Sequence, residues 1–290
     1  MVLPCGETGD INEILNESTQ NSRFKINYRS MEKVQPRRYP VIVCRMTLSL
    51  AFMAFFSLQS FGQGTTGWKL EKMPVDLETD FALSSLPPYV RNDATVYLLD
   101  AEKGYYVARQ GKNDFICFVL RTQWETGEFR QDLASAISYD AEGAKTIFPV
   151  YEDVAVMRAS GKFTASQIKD TIAARFATGF YVAPRRPGLS YMLAPVMRSD
   201  VGNDTTRRVA TFSLPHYMFY APYITEANIG GNSPSGGPMI LGDGKGPHGY
   251  IMVPAGKMEA AEMMKENAQL LKRLIAYKSY FDPGSADMQH

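Results

Sequence analysis

The sequence predicts an α+β domain: an antiparallel sheet with packed helices, a long C-terminal helix among them. Three observations predict it. Short β-rich runs alternate with glycine-bearing turns, and two stretches carry apolar residues at helical spacing. Strands come first, helices follow, further strands succeed them, and a helix closes the chain.

Taken in order, the first 62 residues are expected to build no part of the fold. Residues 46–59, MTLSLAFMAFFSLQ, form a charge-free apolar run, shorter than the roughly 20 residues that a membrane-spanning helix needs. Arg37, Arg38 and Arg45 precede it, and Ser60 and Gly62 follow at the small-x-small spacing of a cleavage site before Gln63. Basic flank, apolar core and small-residue ending together describe a secretory signal peptide, against the alternative of a buried helix or a retained anchor. Because the run begins well inside the chain, translation from Met31 or Met46 is expected, Met31 keeping the basic residues that orient insertion. The expected division is 1–62 as N-terminal extension plus signal peptide and 63–290 as a single α+β domain. The product would be exported, periplasmic or extracellular, with no stable membrane span after cleavage.

TVYLLDAEKGYYVARQG predicts a hairpin with strands near 95–99 and 105–109, Gly104 supplying a positive φ at the turn. DFICFVLRT gives a third, more buried strand that would complete an antiparallel meander. A helix over 144–158 is weakened by Pro149, which separates its first turn. FTASQIKDTIAARFATG is a clearer helix: Thr164 suits the N-cap, Ile168, Ile172 and Phe176 recur at four-residue spacing, and Gly179 ends it. Five β-like pieces follow, LSYMLAP, VATFSL, HYMFYAP, PMILGD and GYIMVP, the last two a hairpin around GDGKGPHG. The glycine-rich loop at 228–237 is expected to be mobile. The closing helix, about 256–280, should be the longest element. Its stripe of Ala261, Met264, Ala268, Leu271 and Ile275, widened by Leu270 and Leu274, predicts packing on the sheet rather than a zipper with a second copy.

Composition excludes more than it assigns. At 45% hydrophobic and 12% aromatic residues the chain can bury a sizeable core. With 31 basic against 30 acidic residues, it has no basic face for nucleic acid and no charged tail. Cys5 and Cys44 fall in the expected leader, which leaves Cys117 as a buried hydrophobe and allows no intramolecular disulfide and no C-x-x-C site.

His216 opens a strand whose two faces are both largely apolar, so its imidazole either reaches the sheet rim or is a satisfied core histidine. His248, in GDGKGPHGY, can approach the same rim, and with Asp243 the pair supplies nitrogen and oxygen donors. Yet no H-x-H, H-x-x-x-H or H-E-x-x-H spacing supports zinc. Met218, Met239 and Met252 would suit soft copper but read better as core filler. GLSYM begins a nucleophile elbow and then has Met192 where G-x-S-x-G requires glycine. SQIK, from Ser166, matches S-x-x-K without its partner motifs and is better read as a helix start. Arg185 and Arg186, between prolines, sit on a rigid loop able to clamp a carboxylate or phosphate. No cofactor and no metal site is identified.

Ser190–Leu193 (SYML), His216–Tyr220 (within PHYMFY) and the stretch running to Val253-Pro254 resemble exported bacterial proteins in which a SYML segment precedes a PHxMFY segment and a glycine-bearing hairpin. The resemblance spans most of 63–290. It implies export and a single domain, and it implies no reaction. The reading is an exported soluble domain that binds a small-molecule ligand in a cleft near His216, with Tyr191, Tyr220, Arg185, Arg186, Ser190 and His248 around it. The alternatives are a hydrolase using His216 as base and Ser190 as nucleophile, or a structural envelope protein without catalysis.

Overall fold

In the computed structural model, which describes residues 69–201, 209–230, 237–241 and 246–284, Pro74 leads into a helix that the periodicity does not signal, α1 (Val75–Ser84). Leu77, Phe81 and Ala82 bury its inner face, and a short turn of helix, α2 (Pro88–Arg91), follows. The expected leader, its apolar run at 46–59 and the cleavage point before Gln63 lie outside the described residues, as do 231–236 and 242–245 of the glycine-rich loops.

β1 (Thr95–Asp100) and β2 (Gly104–Arg109) form the expected antiparallel hairpin, with Gly104 at φ 93°. The meander, however, is corrected. β3 (Ile116–Leu120) runs parallel to β1, with Thr95 opposite Ile116, because β2 already occupies one edge of β1 and the chain must cross to the other. The crossing is tight: Lys112 and Asn113 donate backbone hydrogen bonds to Asp93 O at 2.7 and 2.9 Å. A Cβ on Gly111 would come within 2.2 Å of Asp93 O, so only glycine passes here.

β4 (Ala134–Tyr139) pairs antiparallel to β3 and is buried along its whole length. Burial on both faces removes the alternation that marks a strand in sequence, which is why ASAISY gives no signal. Asp140 then caps α3 (Ala141–Thr146), accepting from Gly143 N at 2.9 Å. α4 (Phe148–Ser160) begins anew around Pro149, the separation the proline predicts. α5 (Ala165–Ala177) carries the Thr164–Gln167 capping box and buries Ile168 and Ile172.

The rest is β5 (Leu189–Met192), β6 (Met197–Asp200), β7 (Val209–Phe212), β8 (His216–Tyr220), β9 (Met239–Leu241) and β10 (Tyr250–Pro254). They complete a six-stranded sheet ordered β2-β1-β3-β4-β6-β7 and a four-stranded sheet ordered β5-β8-β10-β9. A side chain helps to join the sheets. Ser138 Oγ donates to Tyr191 O at 3.2 Å and accepts from Tyr191 N at 3.3 Å, bridging β4 to β5 where the main-chain ladder lapses.

The closing helix is two helices, α6 (Lys257–Glu266) and α7 (Ala268–Tyr277), both shorter than α4 and α5. They divide at Asn267, whose Nδ2 donates to Met263 O at 2.9 Å and whose backbone has left helical geometry. The buried line is Met263, Asn267, Leu270 and Leu274; Ala261 and Ala268, expected in the stripe, are exposed.

Two cores result. Phe81, Leu86, Val96, Cys117, Leu274 and Phe281 fill one, between the large sheet and α1 with α7. Ile116, Phe118, Tyr139, Phe148, Met192, Met218 and Met252 fill the other, where the opposite face of that sheet meets α4 and the small sheet.

Candidate functional site

The alternation of β5 and β8 decides where most of the sequence-predicted residues point. His216, Met218 and Tyr220 lie on the inward face of the small sheet together with Ser190 and Met192. Tyr191 and Tyr217 lie on its other face, their rings 5.7 Å apart, and pack in the first core. Tyr217 donates a short hydrogen bond to Glu259 there. The small sheet thus separates Tyr191 from His216.

His216 is 2% exposed, and its Nδ1 lies 2.6 Å from Leu214 O. A carbonyl only accepts, so Nδ1 carries the hydrogen and Nε2 holds the lone pair. Burial pushes the imidazole below its ordinary value, the bond to Leu214 opposing it only in part. Ser190 is wholly buried opposite Met218, and among the described residues its hydroxyl has no hydrogen-bond partner. Met218, Met252 and Met239 stand in register across β8, β10 and β9, beside the same core.

Since the unfolded chain binds more protons than the folded one between the depressed His216 value and the ordinary one near 6.5, stability should fall as pH drops into that window. His248, also lowered by burial, acts in the same direction, while Glu78 and Glu152, raised by burial, act in the opposite one. The expected result is that His216→Gln loses less stability than wild type between about pH 7.5 and 5.5. Identical slopes in urea unfolding would show that His216 contributes none of the dependence.

Tyr220 is held by glycines. Its hydroxyl donates to Asp140 Oδ1 at 2.9 Å, with Leu189 O at 3.1 Å, while Asp140 Oδ2 accepts from Leu189 N at 2.9 Å. Burial first, and Asp140 second, push this phenol far up. Gly143 and Gly188 close on the ring so tightly that a Cβ on either would overlap it. Tyr220 therefore fastens α3 to β5.

Arg185, Arg186 and His248 lie at the loops. Arg185 and Arg186 are exposed, the Arg185 backbone donating to Glu142 Oε1 at 2.6 Å. His248 Nε2 lies 3.0 Å from Val182 O, and its ring meets Phe176 edge-on at 5.0 Å.

A different place combines apolar walls with a buried charge. Between α4 and the β2-β1-β3 end of the large sheet lies a small crevice of about 10 Å³, with walls from Leu70, Leu99, Leu120 and Ala155 and polar contributions from Asp100, Tyr105, Thr122, Tyr151 and Arg158. A second crevice as small, lined by Trp124, Glu128, Phe129, Val154 and Ile168, shares Thr122 and Arg158 with it. Arg158 is 3% exposed, donates to Arg130 O at 2.9 Å and lies 5.0 Å over the Phe129 ring. Burial, together with the nearby Arg121 guanidinium, pulls it down to about 10, which leaves it cationic at neutral pH. The Tyr105 hydroxyl is committed to Val119 O at 2.8 Å and Tyr151 bonds to Tyr139, so both offer ring surface to the crevice. The arrangement sets one buried cation among apolar walls, with the Asp100 and Glu128 carboxylates on the linings of the two crevices. Nothing in the spacing of Thr122 and Arg158 announces it, because the crevice arises from how α4 crosses the sheet.

Among the described residues no group of three or more His, Cys, Asp or Glu is placed to hold a metal ion, and no helix is long and apolar enough to cross a membrane. Compared with known protein families, curated proteins and solved structures, the chain matches none.

Proposed function

We propose that this chain is an exported binding domain that takes the anionic group of a small ligand at the crevice beneath α4, without covalent chemistry. The single observation that supports it is the Arg158 guanidinium, buried yet cationic, on the wall shared by both crevices with Arg121 close by. The Coulomb attraction between an anion and this charge is stronger in a low-dielectric setting than in water, and it is offset by the cost of desolvating the anion. The apolar walls favour a hydrocarbon or aromatic body, as in most small-molecule sites. Export rests on the leader-like pattern at 37–62. The hydrolase alternative draws no support from the geometry: His216 Nδ1 is committed to Leu214 O, and Ser190 is sealed in the core without a bond to it.

The test is a thermal and calorimetric titration with octanoate and benzoate, against octanamide and benzamide as neutral counterparts. A carboxylate at a hundredfold excess over its Kd is expected to stabilise the protein by about 2.7 kcal/mol, with the amides doing far less. Ala159→Phe, filling the crevice from its lip, should abolish the shift, and Arg158→Lys should keep part of it. Equal shifts from acids and amides, or none from either, would sink the proposal.

A further inference from the structure

Three loops meet at the end of the small sheet that receives α5. His248 joins the segment before β10 to Val182, Ala221 N donates to Gly249 O at 2.8 Å, and Tyr223 N donates to Gly246 O at 2.9 Å. These loops expose large apolar side chains at their tips: Phe180 at 64%, Tyr223 at 61% and Val182 at 47%.

Tyr223 is the one non-glycine residue at positive φ among the described residues, at 60°. It is third in a turn closed by Ile224 N donating to Ala221 O at 3.2 Å, with Pro222 second. A turn of this kind ordinarily takes glycine at its third position. The chain therefore accepts backbone strain to hold an aromatic ring in solvent, where packing gains nothing from it.

Charge completes the patch. Arg185 and Arg186, exposed between Pro184 and Pro187, make no ion pair among the described residues. Arg175 lies 5.1 Å over the Phe180 ring and pairs with Asp153, which removes that carboxylate from the balance. Glu142 of α3 accepts from the Arg185 backbone, and Glu226 is exposed shortly after Tyr223 in the chain. Exposed aromatic tips flanked by exposed arginines fit an interface that is apolar below and anionic at its surface.

We propose that this loop end docks the protein onto an anionic membrane surface, with Phe180, Val182 and Tyr223 entering the headgroup region and Arg185 and Arg186 meeting lipid phosphates. Aromatic side chains are favoured at that depth, and basic residues are drawn to anionic leaflets. The docking is independent of the crevice.

The experiment is hydrogen–deuterium exchange of the full chain, read on peptides covering 178–188 and 221–224, with and without vesicles. One vesicle set is equal parts phosphatidylglycerol and phosphatidylethanolamine; the other is phosphatidylcholine alone. Reading these peptides isolates the loops from whatever residues 46–59 do with lipid. Protection is expected with the anionic vesicles only. In Arg185→Gln/Arg186→Gln the lipid needed for half-protection should rise about 30-fold, at about fivefold per basic residue. Tyr223→Gly should raise the melting temperature, because glycine relieves the turn, and yet lose protection. Protection that is absent, equal on both lipids, or untouched in Tyr223→Gly would overturn the proposal, absence leaving the patch to a protein partner.

Discussion

Gly188→Ala is expected to destabilise the protein by about 3 kcal/mol, at the upper end of what overpacking costs. A Cβ there would stand 2.4 Å from Tyr220 Cε2 and 2.5 Å from Asp140 Oδ2. Neither atom can retreat: Tyr220 is buried against Tyr139 and Tyr250, and Asp140 is held by Gly143 N, Leu189 N and the Tyr220 hydroxyl. Gly143→Ala should cost about as much for a distinguishable reason, since its Cβ would first meet the Tyr220 hydroxyl, at 2.1 Å. Removing that oxygen in Tyr220→Phe should recover part of the Gly143→Ala loss and little of the Gly188→Ala loss, which comes from ring carbon and carboxylate. Urea unfolding of the singles and both doubles reads the coupling directly. A Gly188→Ala protein within about 0.5 kcal/mol of wild type would mean that α3 and β5 do not close on Tyr220 in this way.

Phe281→Ala should cost about 3–5 kcal/mol, the usual range for deleting a buried phenylalanine. Phe281 is wholly buried and meets Phe81 edge-on at 5.8 Å, so it ties the end of the described chain to α1. Tyr280 packs beside it at 4.9 Å and carries the Arg198 guanidinium over its ring. The loss should appear as a lower urea midpoint with an unchanged slope, marking one cooperative core that includes α7. A cost under about 1 kcal/mol, or an early separate transition, would mark the C-terminal helices as an appendage.

These two sites show unequal legibility. The hairpin of β1 and β2, the break at Pro149, the Thr164 cap and the β9–β10 hairpin are written in local chemistry: a glycine at positive φ, an imino acid without a donor, a hydroxyl three residues ahead of an acceptor. Local rules carried those elements because their causes lie within a few residues. α1 and β4 left no such trace, β4 because burial on both faces erases periodicity. The parallel pairing of β1 and β3 was equally hidden, since it follows from which edge β2 had already taken. The periodicity of the closing helix identified Leu270 and Leu274 as apolar positions but also put Ala261 and Ala268 in the stripe, and these face solvent.

For the candidate site the gap is wider. SYML and PHYMFY singled out His216, Ser190, Tyr191 and Tyr220, and strand alternation then sent Tyr191 to the opposite face from the other three. Arg158 carries no signal in its neighbourhood, since its meaning depends on Thr122 and the hairpin, which come together only when α4 crosses the sheet. What the sequence determined by itself is the α+β class, the Thr164 cap and the β1–β2 turn, because those depend on local dihedral preference and side-chain periodicity. Pairing order, the glycine cradle of Tyr220, the buried charge at the crevice and the aromatic loop end were decided by tertiary structure alone. Each needs residues far apart in the chain to exclude water from one another, and no short stretch of sequence encodes that exclusion.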